Sequence, residues 1–309
     1  MIGGGLVAEL ERVADVRLNE PMSAHTTFGV GGPADAFVEA ASQEQLGCMA
    51  ALCREHGLPL TIIGAGSNLL VGDGGVRGLV LHNRVRGVAA LDERGNNGTR
   101  CFRVMSGMLL ARLARSLSRV GLSGLEWAAG IPGTVGGAVV CNAGAFGVDM
   151  AHVVVGVDGL MPDGSTQRIG PAALCFGYRA SALLASASGS APVLLAVMLR
   201  LSEAAPEEAL RRVEEYARRR RSTQPVQPSA GSVFKNPPGE PAGALIEQAE
   251  LKGYRVGGAQ FSPKHANFIV NRGGATAADV RALIQEAQER VWVRSGVMLD
   301  CEVQFVGEF

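Results

Sequence analysis

Two glycine-rich segments are the parts of this sequence best suited to bind an anionic ligand through the backbone. The central glycine segment, residues 124–147, has seven glycines in 24 positions. Glycine loses more backbone freedom on folding than other residues, so this density indicates positions with φ > 0 or a close approach of backbone to another group. Residues 131–137 (IPGTVGG) offer successive N–H groups that can form a nest for a phosphate. From this segment alone, a buried packing seam is an equal alternative.

The N-terminal glycine segment, residues 64–75, favours the ligand-binding interpretation. It follows a predicted apolar strand, Leu60–Ile63, and begins with GAGSNLL. A dinucleotide-binding fingerprint needs a third glycine and a helix directly afterwards. The next predicted element is instead a strand, Gly78–His82, with too few residues before it for a crossover helix. The sequence therefore excludes that fingerprint and predicts one extended ligand, held by two backbone segments about sixty residues apart.

Three polar side chains could take part in chemistry, although each has an ordinary structural interpretation. Glu302 belongs to the alternating stretch Leu299–Phe305, where the pattern alone indicates the solvated face of a strand. Ser232 follows a glycine, which is typical of a turn, and no histidine near it in the sequence could act as the base of a hydrolase triad. Arg179 follows Tyr178 after a strand, where most arginines are surface residues.

The elements that must position these residues follow from periodicity and capping signals. Ser42 predicts the start of a helix that ends at His56 before Gly57. The remaining predicted helices are Met108–Val120, Pro206–Arg221, Pro241–Leu251 and Thr276–Ser295. The remaining predicted strands are Ala36–Glu39, Val153–Leu160, Thr166–Ile169, Val193–Leu201, Phe268–Asn271 and Met298–Val306. Residues 222–229 form the clearest linker, so a domain boundary is expected there.

Composition narrows the classes of function. Lys and Arg together number 29, as do Asp and Glu, so no overall field favours nucleic acid or an anionic membrane. The six cysteines have no metal-binding spacing and are expected to be reduced thiols, mostly in the core. The N-terminal residues lack the basic start of a signal peptide, and the apolar run 191–199 is too short to span a bilayer. A soluble cytoplasmic protein is expected.

Several motifs, in this order, resemble those of a known family: GAGSNLL at 64–70, GLEWAAGIPGTVGGAVVCNAGAFG at 124–147, GYR at 177–179, GSVFKNP at 231–237 and LDCEVQFVG at 299–307. From about His25 to the C-terminus, the chain resembles bacterial UDP-N-acetylenolpyruvoylglucosamine reductases, flavoenzymes of peptidoglycan precursor synthesis. The motifs at 124–147 and 231–237 together are highly specific. The N-terminal glycine segment alone would indicate only the wider flavin-binding fold.

The resemblance implies an α+β fold. A two-part FAD-binding domain of the vanillyl-alcohol-oxidase (PCMH) type would occupy residues 1–82 and 83–221, and an α+β substrate-binding domain residues 222–309. Longer family members insert a tyrosine-bearing flap between the catalytic arginine and serine regions. Here Arg179 and Ser232 are 53 residues apart, predicted elements fill the interval, and Tyr216 lies in the predicted helix. The chain is therefore expected to belong to the shorter subclass.

The resemblance also implies roles for individual residues. Arg179 would pair with the substrate carboxylate, Ser232 would protonate a carbanion, and Glu302 would act at the reacting carbon. Implied substrate-binding residues are Tyr178, Arg221, Lys235, Asn236 and His265. Implied cofactor-binding residues are Ile63, Gly64, Ala65, Gly66, Ser67, Asn68 and Leu69 near the N-terminal segment, and Ala129, Gly130, Ile131, Pro132, Gly133, Thr134, Gly136, Gly137, Ala138, Asn142 and Gly144 in the central segment. No metal is implied.

The implied reaction is reduction of the enolpyruvyl ether of UDP-N-acetylglucosamine to UDP-N-acetylmuramate. NADPH would be the hydride donor and non-covalent FAD the carrier. The expected partner is a small sugar nucleotide, without nucleic acid or membrane, and the expected state is a monomer. Two alternatives stay open at this stage. One is a flavin-dependent alcohol or sugar oxidase of the same wider fold, and the other is a flavin-binding module without turnover.

Overall fold

The computed structural model describes residues 2–95, 98–185 and 191–309. The helices of this described part are α1 Gly4–Glu11, α2 Gln43–Glu55, α3 Leu110–Arg119, α4 Val135–Val140, α5 Pro171–Leu174, α6 Ala182–Ala185, α7 Pro206–Thr223, α8 Ala242–Gln248 and α9 Ala277–Ser295. Its strands are β1 Val16–Pro21, β2 Pro33–Ala40, β3 Leu60–Ile63, β4 Leu69–Val71, β5 Val76–Asn83, β6 Val88–Gly95, β7 Thr99–Met105, β8 Leu122–Ser123, β9 Gly144–Ala145, β10 Val148–Asp149, β11 Val154–Leu160, β12 Thr166–Ile169, β13 Val193–Glu203, β14 Arg255–Val256, β15 Ala259–Phe261, β16 Ile269–Asn271 and β17 Gln304–Val306.

The chain divides into two compact units, and both are discontinuous in sequence. The first unit comprises Met1–Val16, Phe37–Gly64 and Leu79–Arg220. The second comprises Arg17–Ala36, Ala65–Gly78 and Arg221–Phe309. The mixture of helices and sheets in both units agrees with the predicted α+β class. The three-part domain division of the sequence stays a prediction.

The first unit is built on an antiparallel sheet with the strand order β12-β11-β13-β7-β6. Strand β13 lies at its centre, and the apolar residues of this strand are buried along nearly its whole length. Asp158 on β11 accepts hydrogen bonds from Arg103 on β7, at 2.8 Å, and from Arg168 on β12, at 2.9 Å. Helix α3 buries Leu110, Leu113 and Leu117, as its apolar periodicity predicts. Val120 was also expected to face inward, but it follows the last residue of the helix and is 69% exposed. Strands β11 and β12, whose sequences predict a hairpin across residues 162–164, pair with each other in antiparallel orientation.

The second unit packs α8 and α9 with the antiparallel sheet β14-β15-β16. Its core is not limited to the C-terminal third of the chain, because Phe28, Val30 and Leu70 are buried in the same hydrophobic cluster as Phe234 and Phe261. Strand β4 pairs in parallel with β17. Asp73 accepts the N–H groups of Ala277 and Ala278 at 2.8 and 2.9 Å, which satisfies two donors in the first turn of α9.

Three expectations from the sequence are wrong. The predicted strand Met298–Val306 is reduced to β17, and Phe305, expected on an apolar face, is 43% exposed. Residues before β17 form single bridges in place of a ladder, because the Glu302 and Val303 amides share the Val233 carbonyl as acceptor. Helix α7 continues to Thr223, so the linker begins later than predicted. All six cysteines are free thiols, but Cys48 and Cys175 are exposed.

No helix in the described ranges is both long enough and apolar enough to cross a membrane.

Candidate functional site

The two glycine segments meet within the first unit. Gly64 directly follows β3, and Thr134 lies in the central glycine segment just before α4. A Cβ atom added at Gly64 would overlap the Thr134 side chain, so only glycine allows this approach. The sequence predicted that both segments bind one ligand. Their contact is the arrangement that such binding requires.

Part of the central segment serves the fold, as the packing-seam interpretation proposed. Thr134 caps α4, and its hydroxyl accepts the Gly137 amide at 3.3 Å. The Val135 and Gly136 amides donate to the carbonyls of Met108 and Ser106, both at 2.8 Å. These amides are committed within the protein. The Ala129 and Ile131 amides also donate within the protein, and Pro132 has no N–H. A bound anion would therefore take backbone donors from Gly130, Gly133 or Thr134.

The rest of the N-terminal glycine segment belongs to the second unit. Gly66 has a φ of 60° and its backbone packs directly on the His25 carbonyl, so a Cβ atom would collide there. The Asn68 side chain donates to the Glu302 carbonyl at 3.0 Å. Leu69 opens β4 opposite Gln304 on β17. Residues 65–70 are thus held against the extended segment that carries Glu302 and leads into β17.

Ser232 and Glu302 are brought together in the second unit, 70 positions apart in the numbering. Ser232 forms a bridge with Phe268, and the next residue, Val233, accepts the Glu302 amide at 2.7 Å. Residues 232–235 are therefore an extended segment between the segments around 268 and 302. Ser232 and Glu302 are both half-buried, so each side chain combines partial shielding from water with access to a ligand.

The predicted substrate-binding residues of this unit lie along the same segment or close to it. The Lys235 amide donates to the Asp300 carbonyl at 2.8 Å, and the Asn236 side chain accepts the Ala242 amide at the start of α8 at 3.0 Å. The His265 ring meets Phe268 edge-on, with centroids 4.8 Å apart. Arg221 is exposed, and its carbonyl accepts a hydrogen bond from Lys264 at 2.6 Å. Their contacts with a ligand stay predictions.

Arg179 lies in the first unit at the third position of a tight turn, Gly177–Ala180. The Ala180 amide donates to the Gly177 carbonyl at 3.2 Å, and Arg179 has a φ of 52°, a conformation usually taken by glycine or asparagine. Its guanidinium donates to the Gly144 carbonyl at 2.7 Å and lies 5.6 Å from the centre of the Tyr178 ring. Tyr178 itself is 55% exposed. The turn therefore holds a permanently charged group in one orientation.

The turn is fastened to the last residue of α4 and to the chain that follows it. Asn142 is 2% exposed and donates through Nδ2 to the Gly177 carbonyl at 2.8 Å. The Ser181 hydroxyl donates to the Val140 carbonyl at 2.6 Å. Asn142 was expected to bind the cofactor, and that contact stays a prediction. The observed bonds of its side chain support the Arg179 turn.

Sequence reasoning missed Arg220, the last residue of the first unit. Its side chain crosses Gly130, where a Cβ atom would lie 2.8 Å from the Arg220 Cδ. Burial, and then the nearby charge of Arg179, lower the pKa of Arg220 to about 10. Residues 218–221 are four consecutive arginines, and Arg221 was the one expected to bind the substrate. The spacing from the buried Val213 and Ala217 could have indicated that the helix turns position 220 inward.

These residues suit an anionic cofactor and substrate. Two neighbouring guanidinium groups repel each other at low dielectric, and a bound phosphate or carboxylate relieves that repulsion. Gly130 removes the side chain that would otherwise stand between Arg220 and the backbone of the central segment. The close contact of Gly64 with Thr134 brings a second backbone segment against the central segment. Small residues and local positive charge are what a diphosphate such as that of FAD requires.

Comparison with known proteins agrees with this arrangement. The family profile described as "FAD binding domain" matches residues 34–170, and the profile "UDP-N-acetylenolpyruvoylglucosamine reductase, C-terminal domain" matches residues 224–306. These matches confirm the FAD-binding part and the C-terminal part of the predicted fold class.

Similarity also extends over nearly the full chain. UDP-N-acetylenolpyruvoylglucosamine reductase 2 of Symbiobacterium thermophilum is 48% identical over 294 residues, which cover 94% of this chain and 92% of that protein. The reductase of Moorella thermoacetica is 47% identical, with 95% and 94% covered. The crystal structure of the Thermus caldophilus reductase superposes with a TM-score of 0.78 at 38% identity, covering 95% of this chain and 98% of that one. The chain therefore belongs to the UDP-N-acetylenolpyruvoylglucosamine reductase family, whose members are FAD-dependent oxidoreductases.

Proposed function

We propose that this protein reduces the enolpyruvyl ether of UDP-N-acetylglucosamine to the lactyl ether of UDP-N-acetylmuramate, with NADPH as reductant, in peptidoglycan precursor synthesis. The proposed place of action is the cytoplasm, and the proposed state is a monomer. FAD, when bound, accepts a hydride from NADPH and delivers one to the terminal carbon of the enolpyruvyl group. The protein's residues must bind the anionic substrate and supply a proton.

The observation that best supports this proposal is the adjacency of Ser232 and Glu302. Their segments are joined by the hydrogen bond from the Glu302 amide to the Val233 carbonyl at 2.7 Å. Addition of hydride to one alkene carbon leaves negative charge on the neighbouring carbon and its carboxylate, and that carbon must then take a proton. A hydroxyl and a carboxyl side chain on neighbouring rigid segments are suited to this task.

In the proposed roles, the Ser232 hydroxyl donates its proton to the carbanion and Glu302 organises the enolic form. A neutral hydroxyl is a weak acid in water, so the proton transfer requires an oriented site from which water is excluded. Arg179 binds the substrate carboxylate and stabilises the charge that develops there, for which a planar, permanently charged guanidinium is better suited than lysine. The left-handed turn and the Asn142 bond explain how its backbone is held.

For the cofactor, the proposed binding residues are those of the N-terminal glycine segment together with residues 129–134 of the central one. The amides of Val135 and Gly136 donate to carbonyls of the protein, so we infer that the later residues of the central segment support the site from behind. Lys235, Asn236 and His265 are the proposed contacts to the sugar nucleotide.

The test is an anaerobic stopped-flow experiment that follows flavin absorbance. We expect the purified protein to be yellow and to release free FAD on acid treatment. NADPH should bleach the flavin, and enolpyruvyl-UDP-N-acetylglucosamine should then restore its colour without oxygen. A flavin that NADPH bleaches but that only oxygen restores would indicate an oxidase. A flavin that NADPH leaves unchanged would indicate a binding module, and either result would overturn the proposal.

A further inference from the structure

Left-handed backbone conformations are concentrated around the Arg179 turn. Of the non-glycine residues in the described ranges with positive φ, four lie between positions 142 and 179, namely Asn142 at 41°, Phe146 at 58°, Cys175 at 44° and Arg179 at 52°. Such a conformation is unfavourable for a residue with a Cβ atom and persists where surrounding contacts enforce it. The question is which contact enforces it at Arg179.

The Asn142 side chain makes three hydrogen bonds, and one of them ends on the turn. Nδ2 donates to the Gly177 carbonyl at 2.8 Å and to Asp149 Oδ2 at 3.0 Å. Oδ1 accepts the Ala151 amide at 3.1 Å. Because Asn142 is 2% exposed, water cannot readily replace a lost bond. The side chain is thus a rigid link from the chain after α4 to the first carbonyl of the turn.

The Gly177 carbonyl is the acceptor that closes the turn, since it also receives the Ala180 amide. Holding this carbonyl fixes the peptide plane from which the turn starts, two residues before Arg179. The other end of the Arg179 side chain is tied to the Gly144 carbonyl at 2.7 Å. Asn142 therefore fixes the backbone of Arg179, while Gly144 fixes its guanidinium.

We propose that Asn142 is a positioning residue for the half-reaction in which the enolpyruvyl substrate is reduced and the flavin is reoxidised. Its hydrogen bond to the Gly177 carbonyl holds Arg179 in the left-handed turn that aims the guanidinium at the substrate carboxylate. The inference rests on the proposed function, because it takes the carboxylate as the ligand of Arg179. It assigns to Asn142 a role different from the cofactor contact that the sequence predicted.

A pair of substitutions separates positioning from stability. In Asn142→Asp, the new carboxylate would face Asp149 and would have no donor for the Gly177 carbonyl, so both stability and positioning should suffer. In the double variant N142D/D149N, the donor and acceptor between positions 142 and 149 are exchanged, which restores that bond. The Gly177 carbonyl still lacks its donor. Ser118→Ala is the matched control, because it removes one buried bond, to the Ala114 carbonyl at 2.9 Å, from helix α3.

Thermal unfolding and both half-reactions are measured for each variant. We expect the unfolding temperature to fall in N142D and to recover substantially in N142D/D149N. Flavin reoxidation by the enolpyruvyl substrate should fall about tenfold or more relative to flavin reduction by NADPH in both variants, and UDP-N-acetylmuramate should bind more weakly at equilibrium. Ser118→Ala should change the two half-reactions equally. If reoxidation recovers together with stability in the double variant, the positioning role is wrong.

Removal of Arg179 gives a second test. If Asn142 acts through Arg179, then N142D/D149N should slow reoxidation about tenfold in the wild-type background and less than twofold in an Arg179→Gln background. Equal effects in both backgrounds would overturn the inference. Failure of the proposed function has a different signature, because the wild-type flavin would then not be reoxidised by the enolpyruvyl substrate at all.

Discussion

Replacement of Arg220 by methionine is expected to stabilise the protein when no anion is bound. Methionine keeps an unbranched apolar chain against Gly130 and removes the charge next to Arg179. Burial, and then the Arg179 charge, lower the Arg220 pKa to about 10, well below the ordinary value for arginine, and each pKa unit corresponds to about 1.4 kcal/mol. The penalty on the charged form is therefore about 3 kcal/mol. Because the guanidinium is partly exposed, solvent screening makes this an upper limit on the gain.

The assay is thermal and chemical unfolding of flavin-free protein, with Arg218→Met as the control, since Arg218 is exposed on the same helix. A gain of 1 kcal/mol should raise the unfolding temperature by roughly 2 °C or more in a protein of this size. The penalty is fully present at every pH below about 10. It is lost as the pH rises from there towards the ordinary pKa of arginine, because the folded protein releases this proton before the unfolded chain does. The difference between variant and wild type should therefore be constant from about pH 6 to 9.

Addition of UDP-N-acetylmuramate should make the wild type more stable than Arg220→Met, because a bound anion favours the positive charge of Arg220. The reasoning is refuted if Arg220→Met destabilises the flavin-free protein, because the guanidinium would then be a net stabilising group. It is also refuted if Arg218→Met gives the same gain, because a general reduction of positive charge would then explain the result.

Three further predictions follow from described contacts. Gly64→Val should give colourless protein because its side chain would collide with Thr134, whereas Gly5→Ala, in open space on α1, should keep full flavin content by absorbance. Ser232→Ala should leave flavin reduction by NADPH nearly unchanged and slow reoxidation by about 10²-fold, and equal slowing of both in stopped flow would assign the serine a structural role. Burial raises the pKa of Asp158, but its hydrogen bonds to arginines on β12 and β7 outweigh this and lower the pKa overall. Asp158→Asn should thus lower the free energy of unfolding by about 2 kcal/mol at neutral pH. In urea titrations, this loss should shrink as the pH falls below the ordinary pKa of aspartate. A loss that does not depend on pH would contradict the assignment.

Elements with a strong local signal could be predicted from the sequence. Ser42 caps α2 as expected, accepting the Gln45 amide at 3.1 Å. Helix α9 spans Ala277–Ser295, within one residue of the predicted range Thr276–Ser295. Strand β3 has its predicted bounds. In each case a short-range pattern, such as capping or apolar periodicity, is reinforced by the tertiary structure.

The site could be predicted only where backbone chemistry was visible in the sequence. Glycine density identified two segments that contact each other at Gly64 and Thr134, but the pattern could not show that the amides of Val135 and Gly136 are used within the protein. Arg220 was missed because arginine is seldom buried, and a run of four arginines at a helix end is normally solvated. The alternation around Glu302 predicted a strand, whereas the bonds from Glu302 and Val303 to one carbonyl break the ladder.

The second unit is assembled from three separate segments of the chain, and this affects the order in which it can fold. Thr27 and Ser229, 202 positions apart, share a hydrogen bond, and the Asn68–Glu302 bond spans 234 positions. Closing a loop of this length costs conformational entropy before the contacts it brings together can stabilise the fold, so this step is slow. During synthesis, residues 17–36 and 65–78 leave the ribosome long before residues 221–309, which complete their core. Their apolar residues, including Phe28, Val30 and Leu70, must stay unpaired until then. We therefore expect the second unit to complete its folding only after residues 221–309 have been synthesised, and we expect chaperones to bind its early segments until then.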